Sequence, residues 1–189
     1  MIDQRVFFAH TLRLINHVMK FLISICIITI ASVSFGQLDV VKQTVLKKAH
    51  FEAQKMGQKF VDGDYDSFMK FIHPAIMKKS GGPEAMKKML QTGLGEGTQI
   101  LSNTIESPKY LINKDDSTLQ CTLDQTMYLI ANDVHLKNTS SLIGISYDKG
   151  INWYFINANQ EIAALQQMVP ELNSKLKIIK NPVPEIVTK

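Results

Sequence analysis

Ser146-Tyr147-Asp148-Lys149-Gly150-Ile151-Asn152-Trp153-Tyr154-Phe155-Ile156 sets turn formers between two runs of strand formers, and its reading decides how the second half of the chain is built. Glycine takes a positive φ without steric penalty and Asp148 bonds its own backbone, so the stretch predicts a tight hairpin with Ser146, Asp148 and Gly150 as its turn residues. Trp153 follows at once and is expected to anchor the hairpin in a core. Outward from there, residues 100–107, 109–113, 117–130, 134–147 and 151–157 read as strands joined by short polar turns, among them Lys114-Asp115-Asp116 and Asn132-Asp133. Connections this short join antiparallel neighbours. Within 117–130, Leu119, Cys121, Leu123, Met127 and Leu129 share one face. Gln120, Thr122, Asp124, Thr126 and Tyr128 share the other. The first face is expected to be buried and the second solvated.

The first half has a different period. Val41, Val45, Ala49, Ala53, Met56 and Phe60 recur every three or four residues from Leu38 onward, the stripe of an amphipathic helix of about six turns. It stops at Asp62-Gly63-Asp64, where Gly63 suits the left-handed position after a helix and Asp64 or Asp66 caps the next one. That second helix would bury Phe68, Phe71, Ile72 and Ile76, with a break or kink around His73 because Pro74 removes a hydrogen bond and crowds the preceding turn. Gly81-Gly82-Pro83-Glu84 restarts a shorter helix. A last helix is expected over 160–169, followed beyond Pro170 by a tail that crosses the sheet or frays.

The N-terminus sets the expected compartment. Lys20, the apolar run Phe21 to Val33 and Ser34-Phe35-Gly36 follow the order of an export signal, with Met19 or Met1 as the start. The run is shorter than the roughly 20 residues of a membrane span. The expected organisation is therefore residues 1–36 as upstream extension and signal, 37–169 as one domain and 170–189 as a tail, exported to the periplasm or beyond. Loss of residues 1–36 takes away Arg5, Arg13, Lys20 and Asp3 and lowers the formal charge from +4 to +2. Without a concentrated basic stripe, the chain carries no footprint for nucleic acid. Of the two cysteines, Cys26 lies in the signal, leaving Cys121 with no internal disulfide partner. Among apolar strand residues it reads as a small buried hydrophobe.

Two resemblances bear on the fold. The spacing Ser146, Asp148, Gly150, Trp153 resembles the Asp-box, a hairpin signature of sialidase propellers that also turns up singly in other β folds; one copy specifies a hairpin and not an activity. Phe60-Val61-Asp62-Gly63-Asp64-Tyr65-Asp66-Ser67-Phe68, leading to Phe71-Ile72-His73-Pro74, together with helices first and a strand meander second, resembles the NTF2-like superfamily over about residues 40–157. The resemblance implies an α+β fold in which N-terminal helices pack on a curved antiparallel sheet that curls round them as a cone. Exported bacterial members of the superfamily with no assigned activity share the final Trp-Tyr-Phe hairpin. Tyr65 and Trp153 are then expected at the cone's pocket or in its supporting core.

What lines the cone separates the functional readings. An isomerase, cyclase or hydrolase of this superfamily would need a base and an oxyanion donor converging in an apolar cavity. Asp124 and Tyr128 share a strand face but sit roughly 13 Å apart along it. His73, at a broken helix end, is either an acid or base at the cone's mouth or a capping residue. No metal-ligand spacing, P-loop, G-x-G-x-x-G or G-x-S-x-G is present, so no metal or cofactor is expected. The favoured expectation is a non-catalytic binding or structural module, serving a small molecule or an envelope protein. Homodimerisation through Thr122, Thr126 and Tyr128 on the outer sheet face is a further possibility.

Overall fold

From Ala49 to Met56 the stripe read along the first helix is the one the fold buries, whereas Val41, expected on it, is exposed and Leu46, not expected on it, is buried. In the computed structural model, which describes residues 40–187 apart from 94, 96, 116 and 180–182, helix α1 occupies 40–61 and buries Leu46, Ala49, Ala53 and Met56. The two alanines leave no side-chain bulk between helix and sheet, and Gly57 continues the close approach: a Cβ there would meet Asn103 Nδ2 at 2.9 Å and Ile105 Cδ1 at 3.1 Å. The expected export signal lies outside the described residues. Among the described residues, no helix is long and apolar enough to cross a membrane.

Gly63, at φ 71°, ends α1 in the left-handed conformation. Asp64 then caps α2 (Tyr65–Phe68) by accepting from Ser67 N at 3.2 Å, while Lys59 pairs with its other oxygen at 2.9 Å. A 3₁₀ turn (Met69–Phe71) leads to an extended step at Ile72, which bridges Phe155 in parallel, and His73 N donates to Phe155 O. Pro74 therefore breaks the helix cleanly: it opens α3 (Pro74–Lys79) as the first residue, where its missing N–H costs nothing, and His73 is the cap. Helix α4 (Pro83–Gly93) buries only Met86 and is tied to α2 by Lys87, whose Nζ contacts both oxygens of Asp66.

A curved antiparallel sheet follows, so the chain is an α+β protein with its N-terminal helices on that sheet. Its centre is the hairpin β3 (Leu119–Ala131) and β4 (Val134–Ser146), in continuous register from Leu119↔Ser146 to Ala131↔Val134. Asn132 and Asp133 both have positive φ, which fits the strands' right-handed twist. Strands β1 (Gln99–Ile105) and β2 (Tyr110–Asn113) share the other edge of β3 end to end. Strand β5 (Tyr154–Ala158) pairs with Ser141–Ile145 of β4, and the short β6 (Glu185–Ile186) with Leu136–Lys137.

Both faces of this sheet are covered. On the helix side, Leu119, Cys121, Leu123, Leu142, Trp153 and Phe155 pack with Leu46, Ala49, Ala53 and Met56. On the far side, Ile143, Ile145, Ile156 and Ala158 pack with α5 (Ile162–Gln166), Val169, Leu172 and Leu176. The solvated face read from the sequence is thus corrected over half its length. Gln120 and Thr122 are buried, and the segment after α5 crosses this face at Gln120 and Ser141 as a strap. Gln120 Nε2 donates to Glu171 O at 2.8 Å, Asn173 N donates to Gln120 Oε1 at 2.9 Å, and Ile179 N donates to Ser141 Oγ at 2.9 Å. A side-chain amide here replaces the strand ladder as partner for the strap's backbone, so the crossing segment is satisfied without being a strand.

Candidate functional site

Where α1 ends and the sheet curves away, the helices and β5 leave a cavity of about 580 Å³, within the range of small-molecule sites. It is lined by Met56, Phe60 and Phe68 of the first helices, Met86, Met89 and Leu90 of α4, and Leu142, Phe155, Leu165 and Met168. Three of the chain's nine Phe and five of its nine Met line this space without filling it. Polar groups enter at few points. Asn103 and Gln125 project from β1 and β3, Asn157, Asn159 and Gln160 cluster where β5 ends, and Lys79 and Ser80 stand at the end of α3.

The inner polar pair is set by register. Ile105 and Ser140 flank Gln125, and Asn103 and Asn138 flank Met127, so odd positions of β3 carry both onto the helix-facing side. Gln125 is 5% exposed and its Nε2 donates to Asn103 Oδ1 at 2.9 Å. Its Oε1 and the Oδ1 of Asn138 are buried without a partner among the protein's groups. Neutral amides bind and orient. With Lys79 as the sole ionisable residue among the lining, the cavity offers no carboxylate or imidazole to act as a base.

The candidate acid–base residues lie elsewhere. Asp124 and Tyr128, at even positions of β3, face the opposite side of the sheet. Asp124 pairs with Lys109 at 2.5 Å and accepts from Ser141 Oγ, and Tyr128 is exposed opposite Ser102 and Lys137. Thr122, proposed as part of a dimer face, is buried. Tyr65 backs the cavity wall, its ring 6.1 Å from that of Phe60, without lining it.

His73 is a buried cap with a network of its own. Nδ1 accepts from Ala75 N at 3.2 Å, which leaves Nε2 as the protonated nitrogen, donating to the Tyr147 hydroxyl oxygen Oη at 2.6 Å; the same hydroxyl in turn donates to Glu171 Oε1. Burial lowers the His73 pKa below the usual histidine value, against the opposing pull of Glu171. Burial would raise Glu171, but the Tyr147 hydroxyl and the other donors and charges around it win and hold its pKa low. Glu171 was invisible from sequence, since nothing near Pro170 marks it as a partner of residues so distant in the chain.

The hairpin residues are structural. Ser146 Oγ accepts from Gly150 N at 2.8 Å and donates to Asp148, whose carboxylate takes Asn152 N and Nδ2. Trp153 Nε1 donates to Gly150 O at 3.0 Å. Cys121 is an inert core residue, its thiol pushed up to about 12 by burial. Among the described residues, His, Cys, Asp and Glu form no group of three or more placed to hold a metal ion.

The fold and the cavity together define a class: an α+β protein whose helices and curved sheet enclose an apolar cavity furnished with neutral amides. No protein-family model matches the chain, and no curated protein sequence does.

Proposed function

We propose that this protein is an exported, non-catalytic binding module of the NTF2-like kind that holds an apolar small molecule in the cavity between α1–α4 and the sheet. The observation that supports it is the lining: a volume suited to a drug-sized ligand, walls of Met, Phe, Leu and Ile, and, apart from Lys79 and Ser80 at the end of α3, only neutral amides as polar groups. The rival reading, a small isomerase, cyclase or hydrolase, requires His73, Asp124 or Tyr128 to reach a substrate there. All three sit outside the lining, and His73 spends its basic nitrogen on Ala75. Methionine walls suit a binder, because unbranched thioether chains re-pack around irregular apolar shapes.

Titration of the full chain with the solvatochromic dye Nile red tests the reading. A saturable site of one dye per chain with blue-shifted emission is expected. Met127→Trp, which puts an indole into the space between the Asn103 and Asn138 positions, should weaken that site by at least roughly tenfold while far-UV circular dichroism stays unchanged. Absence of a saturable site in the wild-type chain would end the proposal.

A further inference from the structure

The cavity's polar end is unbalanced in one direction. Gln125, which lines it, spends its donor on Asn103 and keeps an acceptor, Oε1, that meets no protein donor; Asn138, two residues along β4 from the position facing Gln125 and outside the lining, keeps a second acceptor, Oδ1. Both oxygens are buried, and both belong to the sheet face that carries the cavity. A buried carbonyl oxygen left without a donor is costly, and on a cavity-lining side chain such as Gln125 a ligand donor is what would complete it.

We infer that the ligand is a hydrophobe whose inner end is neutral and carries a hydroxyl or N–H donor, received by Oε1 of Gln125. This rests on the proposed binding reading and narrows it to a chemical class. An ionised carboxylate does not suit the inner end: it is acceptor-only, and it would be brought out of water towards the carbonyl oxygen of Gln125. A ketone or ether fits the shape and leaves that oxygen as it is. The apolar walls contributed by Met56, Phe60, Phe68 and Met86 take the remainder of such a molecule without further polar contact.

Displacement of bound Nile red from the full chain by n-decanol and by methyl octyl ketone, which have equal carbon number, isolates the donor. Decanol should displace the dye at a concentration at least roughly tenfold lower than the ketone, and Gln125→Met should shrink that ratio to about twofold or less. The ratio is read within each protein, so a general loss of affinity in the variant does not enter it, and the wild-type ratio alone decides if the variant fails to fold. Equal potency, a preference for the ketone, or a ratio that survives Gln125→Met overturns the donor assignment and leaves the cavity reading standing. Failure of the wild-type chain to bind Nile red removes the cavity reading, and this inference with it.

Discussion

At the scale of single residues, His73 shows how one side chain serves two ends of the fold. Its backbone N–H extends the β5 edge, its Nδ1 caps α3, and its Nε2–H reaches the turn after β4 through Tyr147, which holds the strap at Glu171. Protonation removes the only acceptor on the ring, so the cap on Ala75 is lost and a charge is buried. The sign follows from the lowered pKa: the unfolded chain takes up this proton first. The stability His73 contributes is therefore complete above pH 6.5 and falls as the pH drops from there through the folded value. Glu171, also lowered, adds a second loss below 4.5. The charged and titratable groups around the ring are Tyr147, Tyr154 and Glu171. In His73→Asn, a side-chain oxygen still caps Ala75 and nothing titrates. Urea midpoints measured between about pH 7.5 and 5 should fall for the wild type and stay nearly flat for the variant; parallel slopes would mean that another group carries the acid sensitivity.

At the scale of elements, the strap after α5 separates what local pattern conveys from what it does not. Gln120→Leu keeps the volume of the side chain but leaves Glu171 O and Asn173 N without partners, each worth about 1–3 kcal/mol if it stays buried. Tryptic cleavage at Lys175 and Lys177 should accelerate by roughly tenfold or more, ahead of cleavage in α1; an unchanged rate would show that Leu172 and Leu176 hold the strap unaided. Most of the stripe of α1, the alternation of β3, the cap at Asp64 and the turn at Gly150 were legible, because each is written in the local sequence of one element or turn. Gly150 also carries a long-range signature: a Cβ there would strike Val45 at 2.9 Å, on top of the strain of φ 91°. The burial of Gln120 and Thr122 was not legible. Alternation assigns residues to faces and is silent on what covers a face, and here the cover arrives some fifty residues later. The break at His73 was legible because Pro74 cannot continue a helix; that Pro74 opens a new helix with His73 as its N-terminal cap was not. The partners of His73, Tyr147 and Glu171, brought together only by the folded sheet, were not legible either.

At the scale of the whole molecule, the cavity is where the two cores meet. Leu142 and Phe155 belong to the cluster under α1, whereas Ile156 and Leu165 belong to the cluster under the strap, and all four line the same space. Composition gave no access to this: Met, Phe and Leu in these proportions serve equally to fill a cone or to wall an empty one, and a void has no residue of its own. The shared lining has a mechanical consequence. A ligand seated there adds contacts to α4, whose one fully buried residue is Met86, and to α5 and Met168, which are held from the other side of the sheet. Occupancy favours the closed form of both by mass action, by about 2.7 kcal/mol when the ligand is present at a hundred times its dissociation constant. Amide hydrogen exchange with saturating decanol should therefore slow in 83–93 and in 162–172 together, while 110–113 and 134–137, remote from the lining, exchange as before. Protection confined to α4 would place the ligand against the helices alone and leave the second core out of the site. Protection at 110–113 or 134–137 in its place would point to binding on the outer sheet, where Tyr128 and the exposed end of β4 lie.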